Sequence, residues 1–354
     1  MTRSIFLNLL GKRPSTVIVL AGLFVLSATV VSAHPKNQVV ATIPVGLGPD
    51  AVVVNPTSKI IYVANTGSNT VSAIEAATNS VAVTIPVGIP PSAMAVTPDG
   101  GTLYVAYVFP RGGDVTVSVI YTPTNTVSKT IDVGSAFPIA GLNLAVSPDG
   151  TKLYVATAFF NPVGGFPVID TSTNLVSGTI IINDGPGWFP LPGGVVFNSS
   201  GRFAYVLSVG NRNLGKERFF ISQINTAREK QINSTGPLNI NSRGWTSIHG
   251  QNLYITTDGN DIAVFNTQTD AVVTRVPIGG PVTSDAVTPD GKYLYVPYYP
   301  NLVATIDTKT FELVGSPIQV GQGPFGIAIA PDGLRAYVTN STDGTVSVID
   351  ISPQ

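Results

Sequence analysis

The sequence predicts an all-β fold: a seven-bladed β-propeller of four-stranded antiparallel blades, its N-terminal strand closing the last blade. Three features predict it. A tyrosine recurs at one fixed place in a strand-like segment, at Tyr62, Tyr104, Tyr154, Tyr205, Tyr254, Tyr295 and Tyr337, with spacings of 42, 50, 51, 49, 41 and 42 residues. Repeats of that length, each holding several short strands, are the size of propeller blades. Pro-Asp-Gly appears at 98–100, 148–150, 289–291 and 331–333, always at the same place in the repeat. Finally, Val39-Val40-Ala41-Thr42-Ile43-Pro44-Val45-Gly46 matches the outer strand read at 81–88, while the seventh repeat stops after its third strand. The early strand is therefore expected, over 39–45, to pair the open edge of blade seven and lock the ring.

In chain order, residues 1–33 come first. Arg3, Lys12 and Arg13 precede an apolar run over 16–31, and Val31-Ser32-Ala33 supplies small residues before a cut. This pattern reads as a secretory signal peptide cleaved after Ala33, so that residues 34–354 form the propeller. A retained membrane anchor is the alternative, for which the run is slightly short. Either way the propeller is exported to the periplasm, cell surface or medium, and no membrane span is expected after cleavage.

The final repeat shows the blade most clearly. Gly323-Pro324 opens a strand over 326–330, the turn Pro331-Asp332-Gly333 follows, and further strands run over 336–340 and 345–350. In the turn, Pro sets φ, Asp accepts backbone N–H groups and Gly takes positive φ. Asp170 and Asp307 are placed to make similar turns before the outer strands. Alternation of Val or Ile with Ser or Thr is strand chemistry at period two.

Tyr337-Val338-Thr339-Asn340, its near twin Tyr62-Val63-Ala64-Asn65, and the third strands Val117-Ser118-Val119-Ile120 and Val346-Ser347-Val348-Ile349-Asp350 carry a family resemblance. Over 37–354 the chain resembles the YVTN-repeat β-propellers. Blade three is lengthened, and blades four and five depart from the pattern, with Asn198-Ser199-Ser200-Gly201 and Ile248-His249-Gly250 in place of Pro-Asp-Gly. The resemblance implies a seven-bladed propeller of the exported, surface-layer type. It carries over no catalytic residue.

Composition narrows the chemistry. Charged residues make up 11% of the chain, against about 25% in an ordinary soluble domain, as suits sheets covered on both faces. Loss of Arg3, Lys12 and Arg13 leaves 16 Lys+Arg against 20 Asp+Glu, a formal charge of −4. That sign disfavours nucleic acid as partner. With no cysteine, disulfides, thiolate metal sites and cysteine nucleophiles are excluded. A monomer is expected.

The three long spacings are consecutive, which places the extra residues in blades two, three and four. Connections between strands two and three, and from strand four to the next blade, emerge on one face. That face is expected to gather Phe109 and Arg111 from blade two, Phe159 and Phe160 from blade three, and Arg212, Lys216 and Arg218 from blade four. Trp188 and Phe189 join them from the connection into blade four. Exposed aromatics beside cations suit stacking, cation–π contact and recognition of anions or carbohydrate. Equally, such loops can simply pack on one another. Arg243 and Trp245 fall on the inner strand of blade five, where Trp245 either faces the channel mouth or fills a packing gap.

Catalytic groupings are scarce. His34 and His249 are the two histidines; a terminal His34 can chelate copper, but a solvated residue is the simpler expectation. Asp258-Gly259-Asn260-Asp261 and Asp343-Gly344 lack the later acidic ligand of a calcium loop and read as hairpin turns. Neither metal nor cofactor is expected. The leading reading is a non-enzymatic binding module for a protein, polysaccharide or small molecule. A propeller enzyme of lactonase, lyase or quinoprotein type is the alternative; those hold a metal or quinone at the central channel, where this chain offers Asp50 and Asp285. DNA binding, known among YVTN propellers, is the second, and would need Arg212, Lys216, Arg218 and Arg243 to form a patch.

Overall fold

Strands rich in Val, Ile and Thr cannot stay unpaired once buried, because each leaves a row of N–H and C=O groups to satisfy. In the computed structural model, which describes residues 34–108, 114–135, 142–157, 165–185, 189–211, 217–240 and 242–354, they pair into seven four-stranded antiparallel sheets. Six sheets take their strands consecutively from inner to outer. The seventh orders Pro324–Ile329, Arg335–Asn340, Thr345–Asp350 and then Gln38–Pro44. The closing strand therefore sits one residue earlier than its predicted bounds. Its register runs from Gln38 opposite Asp350 to Pro44 opposite Thr345. Lys36 Nζ reaches Asp350 at 3.3 Å, and the Gln354 amide donates to the His34 carbonyl at 3.0 Å.

The inner strands are Pro49–Val54, Ala93–Val96, Asn143–Val146, Phe189–Phe197, Ser242–His249, Ala286–Val287 and Pro324–Ile329. Each packs on the next, and the last packs on the first, so the sheets form a ring. The core of this ring is seven separate apolar layers, each made by two neighbouring blades.

The repeated tyrosine is explained by those layers. Each one packs into the layer shared with the following blade; six of the seven are no more than 2% exposed, and Tyr205 is 7% exposed. In three blades the phenol also reaches an asparagine beyond the interface. Tyr62 donates to Asn125, Tyr104 to Asn174 and Tyr295 to Asn37, each at 2.8 Å. All three asparagines have φ of 52–53°. Asparagine is among the few side chains that tolerate this left-handed region, so the Asn before an outer strand both turns the chain and bolts two blades together. Burial pushes the Tyr62 and Tyr104 hydroxyls up to about 12, keeping them protonated donors.

The Pro-Asp-Gly turns behave as their chemistry predicts. Their glycines have φ between 70° and 75°, and Asp99, Asp149, Asp290 and Asp332 each accept a backbone N–H two residues on at 2.9–3.1 Å. The divergent turns keep the glycine geometry, with φ of 67° at Gly201 and 59° at Gly250. Asp258-Gly259-Asn260-Asp261 and Asp343-Gly344 form hairpin connections between second and third strands. Among the described residues no helix is long and apolar enough to cross a membrane.

Candidate functional site

Strand direction alternates within every blade, so connections between second and third strands share a rim with those leading to the next blade. On that rim blade four differs from the others: all four of its strands are nine residues long, whereas blades one and seven are built of strands of six or seven. Two expectations are corrected here. Phe189 belongs to the inner strand, opposite Asn211, rather than to a connecting loop. Gly210 and Asn211 pair with Arg218 and Glu217, extending a hairpin where a loop was expected. The cause is mutual: the extra residues of the second strand supply backbone partners that draw both neighbours into the sheet. Arg218 is exposed there.

The other predicted rim residues, Phe109, Arg111, Phe159, Phe160, Trp188, Arg212 and Lys216, lie outside the described residues, as does the side chain of Phe189. Arg243 and Trp245 fall, as expected, on the inner strand of blade five, with side chains outside the described set. The two histidines are apart in the fold. His34 is exposed beside the chain's C-terminal residues. His249 lies over the neighbouring turn, where a Cβ at Gly291 would fall 2.0 Å from its Nε2. Among the described residues no group of three or more His, Asp or Glu is placed to hold a metal ion.

Two buried carboxylates stand out instead. Asp184, in the connection from blade three to blade four, accepts hydroxyls from Ser208 at 2.7 Å, Ser234 at 3.2 Å and Ser222 at 3.3 Å. Burial raises its pKa, partly offset by those three donors. Sequence reasoning passed over it. The signal was present: Ser208 replaces the asparagine that ends Tyr62-Val63-Ala64-Asn65, while an acid appears in the preceding connection.

Asp285 lies just before the inner strand of blade six and is 8% exposed. Burial pushes its carboxyl up to about 7, against the opposing pull of the Ser247 hydroxyl and amide. Ser247 Oγ donates to Oδ2, whereas Oδ1 is fully buried and has no hydrogen-bond partner among the described residues. Asp285 is among the residues around a cavity of about 170 Å³, with Asp50, Ala93, Asn143, Thr246, Phe325 and others. Those residues come from six of the seven inner strands and their leading segments, which places the cavity on the axis of the ring. Asp50, the other inner-strand acid expected there, is tied by Oδ1 to the Ser341 hydroxyl at 3.0 Å.

Fold and closure together define a seven-bladed β-propeller. No protein-family model matches the chain. A stretch of 177 residues, 45% of the chain, is 27% identical to Antigen Lp49 of Leptospira interrogans and spans 38% of that protein. Among solved structures, Kuenenia stuttgartiensis hydrazine synthase aligns over 87% of this chain and 96% of its own, with TM-score 0.72 and 21% identity. The Myceliophteria thermophila Cps50 (Swd1) β-propeller domain aligns over 89% of this chain and all of its own, with TM-score 0.66 and 13% identity. At these identities the structural likeness is one of fold alone.

Proposed function

We propose that this is an exported YVTN-repeat propeller that acts as a non-enzymatic binding module, its recognition face on the rim of blades two to four. The observation that carries the reading is the asymmetry of the ring. The three long repeat spacings are consecutive, and the strand order directs their connections to one rim, whereas the described Pro-Asp-Gly turns at the opposite ends of the strands share one glycine geometry. Drift without function would scatter insertions around the ring. The residues added there are aromatic and cationic, the side chains that dominate recognition hot spots. The leader-like residues 1–33 and the weak likeness to a protein named as an antigen favour a periplasmic or surface location.

N-terminal sequencing of the protein recovered from its native envelope should begin at His34; a protein retaining residues 1–33 in the cytosol would reverse the location. Recognition is tested on a glycan and protein array with Trp188→Ala and Arg212→Ala compared against Lys292→Ala and Lys309→Ala. The first pair should weaken any ligand found by about tenfold or more and the second pair leave it unchanged. The reverse order would move the functional face to the other rim.

A further inference from the structure

On the rim of the Pro-Asp-Gly turns, three departures from the repeat meet at the seam between blades seven and one. The first is an unpaired cation. In blade three, Lys152 stands opposite Asp170 across the sheet and pairs with it at 3.5 Å. Arg335 holds the same place in blade seven, opposite Asp350, but Asp350 is taken by Lys36, just before the closing strand, at 3.3 Å. Arg335 reaches across the seam instead. Its Nη1 donates to the Ala76 carbonyl at 3.0 Å and to Asn79 Oδ1 at 3.5 Å, and among the described residues it has no ion pair.

The second departure is a missing hydroxyl. Thr122, Thr171, Thr226, Thr267 and Thr308 each donate from the turn before an outer strand to a carbonyl of their own blade's first turn. Blade one has Ala76 there, keeping the backbone bond to Lys59 without the side-chain one. The third is that first turn itself. Pro56-Thr57-Ser58-Lys59 replaces Pro-Asp-Gly, and the left-handed residue is Lys59, with φ of 56°. A lysine is strained in that conformation, and such strain gathers at ligand sites.

These three positions border one groove of about 530 Å³, within the roughly 300–1,000 Å³ of small-ligand sites. Lys59 is exposed and Arg335 half-buried. Asp332 is the one acid among the lining residues and already accepts the Leu334 amide at 3.0 Å. Pro56 and Ala77 from blade one face Pro331 and Leu334 from blade seven, all four exposed. Tyr337 also borders the groove; burial raises the pKa of its hydroxyl, and the nearby Arg335 opposes the rise.

We propose that this seam groove binds a small organic monocarboxylate, its carboxylate held by Arg335 and Lys59 and its apolar body between Pro56 and Ala77 on one side and Pro331 and Leu334 on the other. A guanidinium has five N–H donors, and Arg335 spends them on neutral oxygens alone. A carboxylate offers it the stronger, charge-assisted fork. Two cations against one acid leave a single net positive charge, which matches a monoanion. Inorganic phosphate would leave the apolar walls unused. The site is separate from the recognition face on the opposite rim.

The test is calorimetric titration of the full propeller with 4-phenylbutyrate. Its uncharged isostere 4-phenylbutyramide, and acetate and inorganic phosphate as anions without the apolar body, serve as comparisons. Phenylbutyrate should bind, and the other three should bind at least about tenfold more weakly. Arg335→Gln should weaken phenylbutyrate by about tenfold or more. Lys36→Ala, which lies outside the groove and returns Asp350 to Arg335, should weaken it too, whereas Lys292→Ala, an equal change of charge, should not. Ala76→Thr, the residue of five other blades, should narrow the groove and weaken binding with the fold intact. Trp188→Ala should leave binding unchanged; a loss there would assign the ligand to the opposite rim and overturn the proposal. So would no binding of phenylbutyrate, equal binding of any of the three comparison compounds, or unchanged affinity in Arg335→Gln. Should Arg335→Gln fail to fold, Lys36→Ala against Lys292→Ala decides, and equal affinities in those two would overturn it.

Discussion

Blades seven and four solve one packing problem with opposite chemistry. In blade seven, Asn340 closes the second strand and its Nδ2 donates to Thr345 Oγ1 and Ser347 Oγ, each at 2.9 Å. Its side chain occupies the space beside Gly321, where a Cβ would fall 2.6 Å from the amide. Blade one repeats this arrangement with Asn65, Ser72 and Gly46. In blade four the asparagine is Ser208, and Asp184 enters the vacated space from the preceding connection. There the hydroxyls of Ser208, Ser222 and Ser234 donate rather than accept. A serine can do either. What the repeat specifies is thus a polar hub between strand ends and the adjoining connection, while the residue that forms it is exchangeable. Each form has its cost. Among the described residues Asn340 and Asn65 leave Oδ1 unpaired; Asp184 satisfies its donors but buries an acid.

The largest test concerns the seam that makes blade seven a blade at all. Deleting residues 34–46 removes the strand opposite Thr345–Asp350 and the buried side chain of Ile43. The expected loss exceeds about 4 kcal/mol, seen as lost cooperativity in urea unfolding or as aggregation through the bared edge. An unchanged transition would show that the ring closes without this strand.

The next test strikes the two hubs directly. Asp184→Ala strands three hydroxyls and should cost about 2–3 kcal/mol by chemical denaturation, whereas Asn340→Ala, which removes its own unpaired oxygen too, should cost about 1 kcal/mol. If Asn340→Ala proves the more damaging, the hubs are not equivalent and blade four is held by something else.

A further carboxylate sharpens the contrast, because Asp184 has three hydroxyl donors and Asp285 has one side-chain donor. With a folded-state pKa raised to about 7, Asp285 keeps a proton that the unfolded chain has already lost. Its contribution to stability is therefore fully present below about pH 4 and falls as pH rises toward 7. Asp285→Asn should flatten that part of the pH–stability curve and exceed the wild type at pH 8 by about 2 kcal/mol. Equal slopes in the two proteins would mean that Asp285 is solvated.

The fold was legible in the sequence because its signals are periodic and local: Tyr62 to Tyr337 mark the blades, Pro-Asp-Gly marks the turns, and residues 39–45 copy an outer strand. Blade four blurred at its ends, where Gly210 and Asn211 look like loop residues until their partners are known. The site was less legible for a related reason. Asp285 was visible as an inner-strand acid, but its unpaired oxygen depends on packing among six blades. Asp184 gains its meaning only beside Ser208, Ser222 and Ser234, which are 24–50 residues away.

The smallest expected effect bears on the bolt that blade four lacks. Where blades two and three place Asn125 and Asn174 before their outer strands, blade four has Glu229, with φ of 47°. Glutamate pays more than asparagine for that backbone, and it sits near enough to Tyr154 for its charge to disfavour ionisation of the phenol. Its ion pair with Lys152 at 3.5 Å is partly exposed and so contributes little. Glu229→Asn should relieve the backbone and give Tyr154 the acceptor that Tyr104 finds in Asn174, a net gain of about 0.5–1 kcal/mol in urea unfolding. The two contributions separate in a double-mutant cycle. Tyr104→Phe should cost about 1 kcal/mol and Tyr154→Phe much less, until Glu229→Asn is present, when the two costs should converge. A gain from Glu229→Asn that persists in full in Tyr154→Phe would assign it to the turn alone. The bolt would then need more of the regular blade than its asparagine.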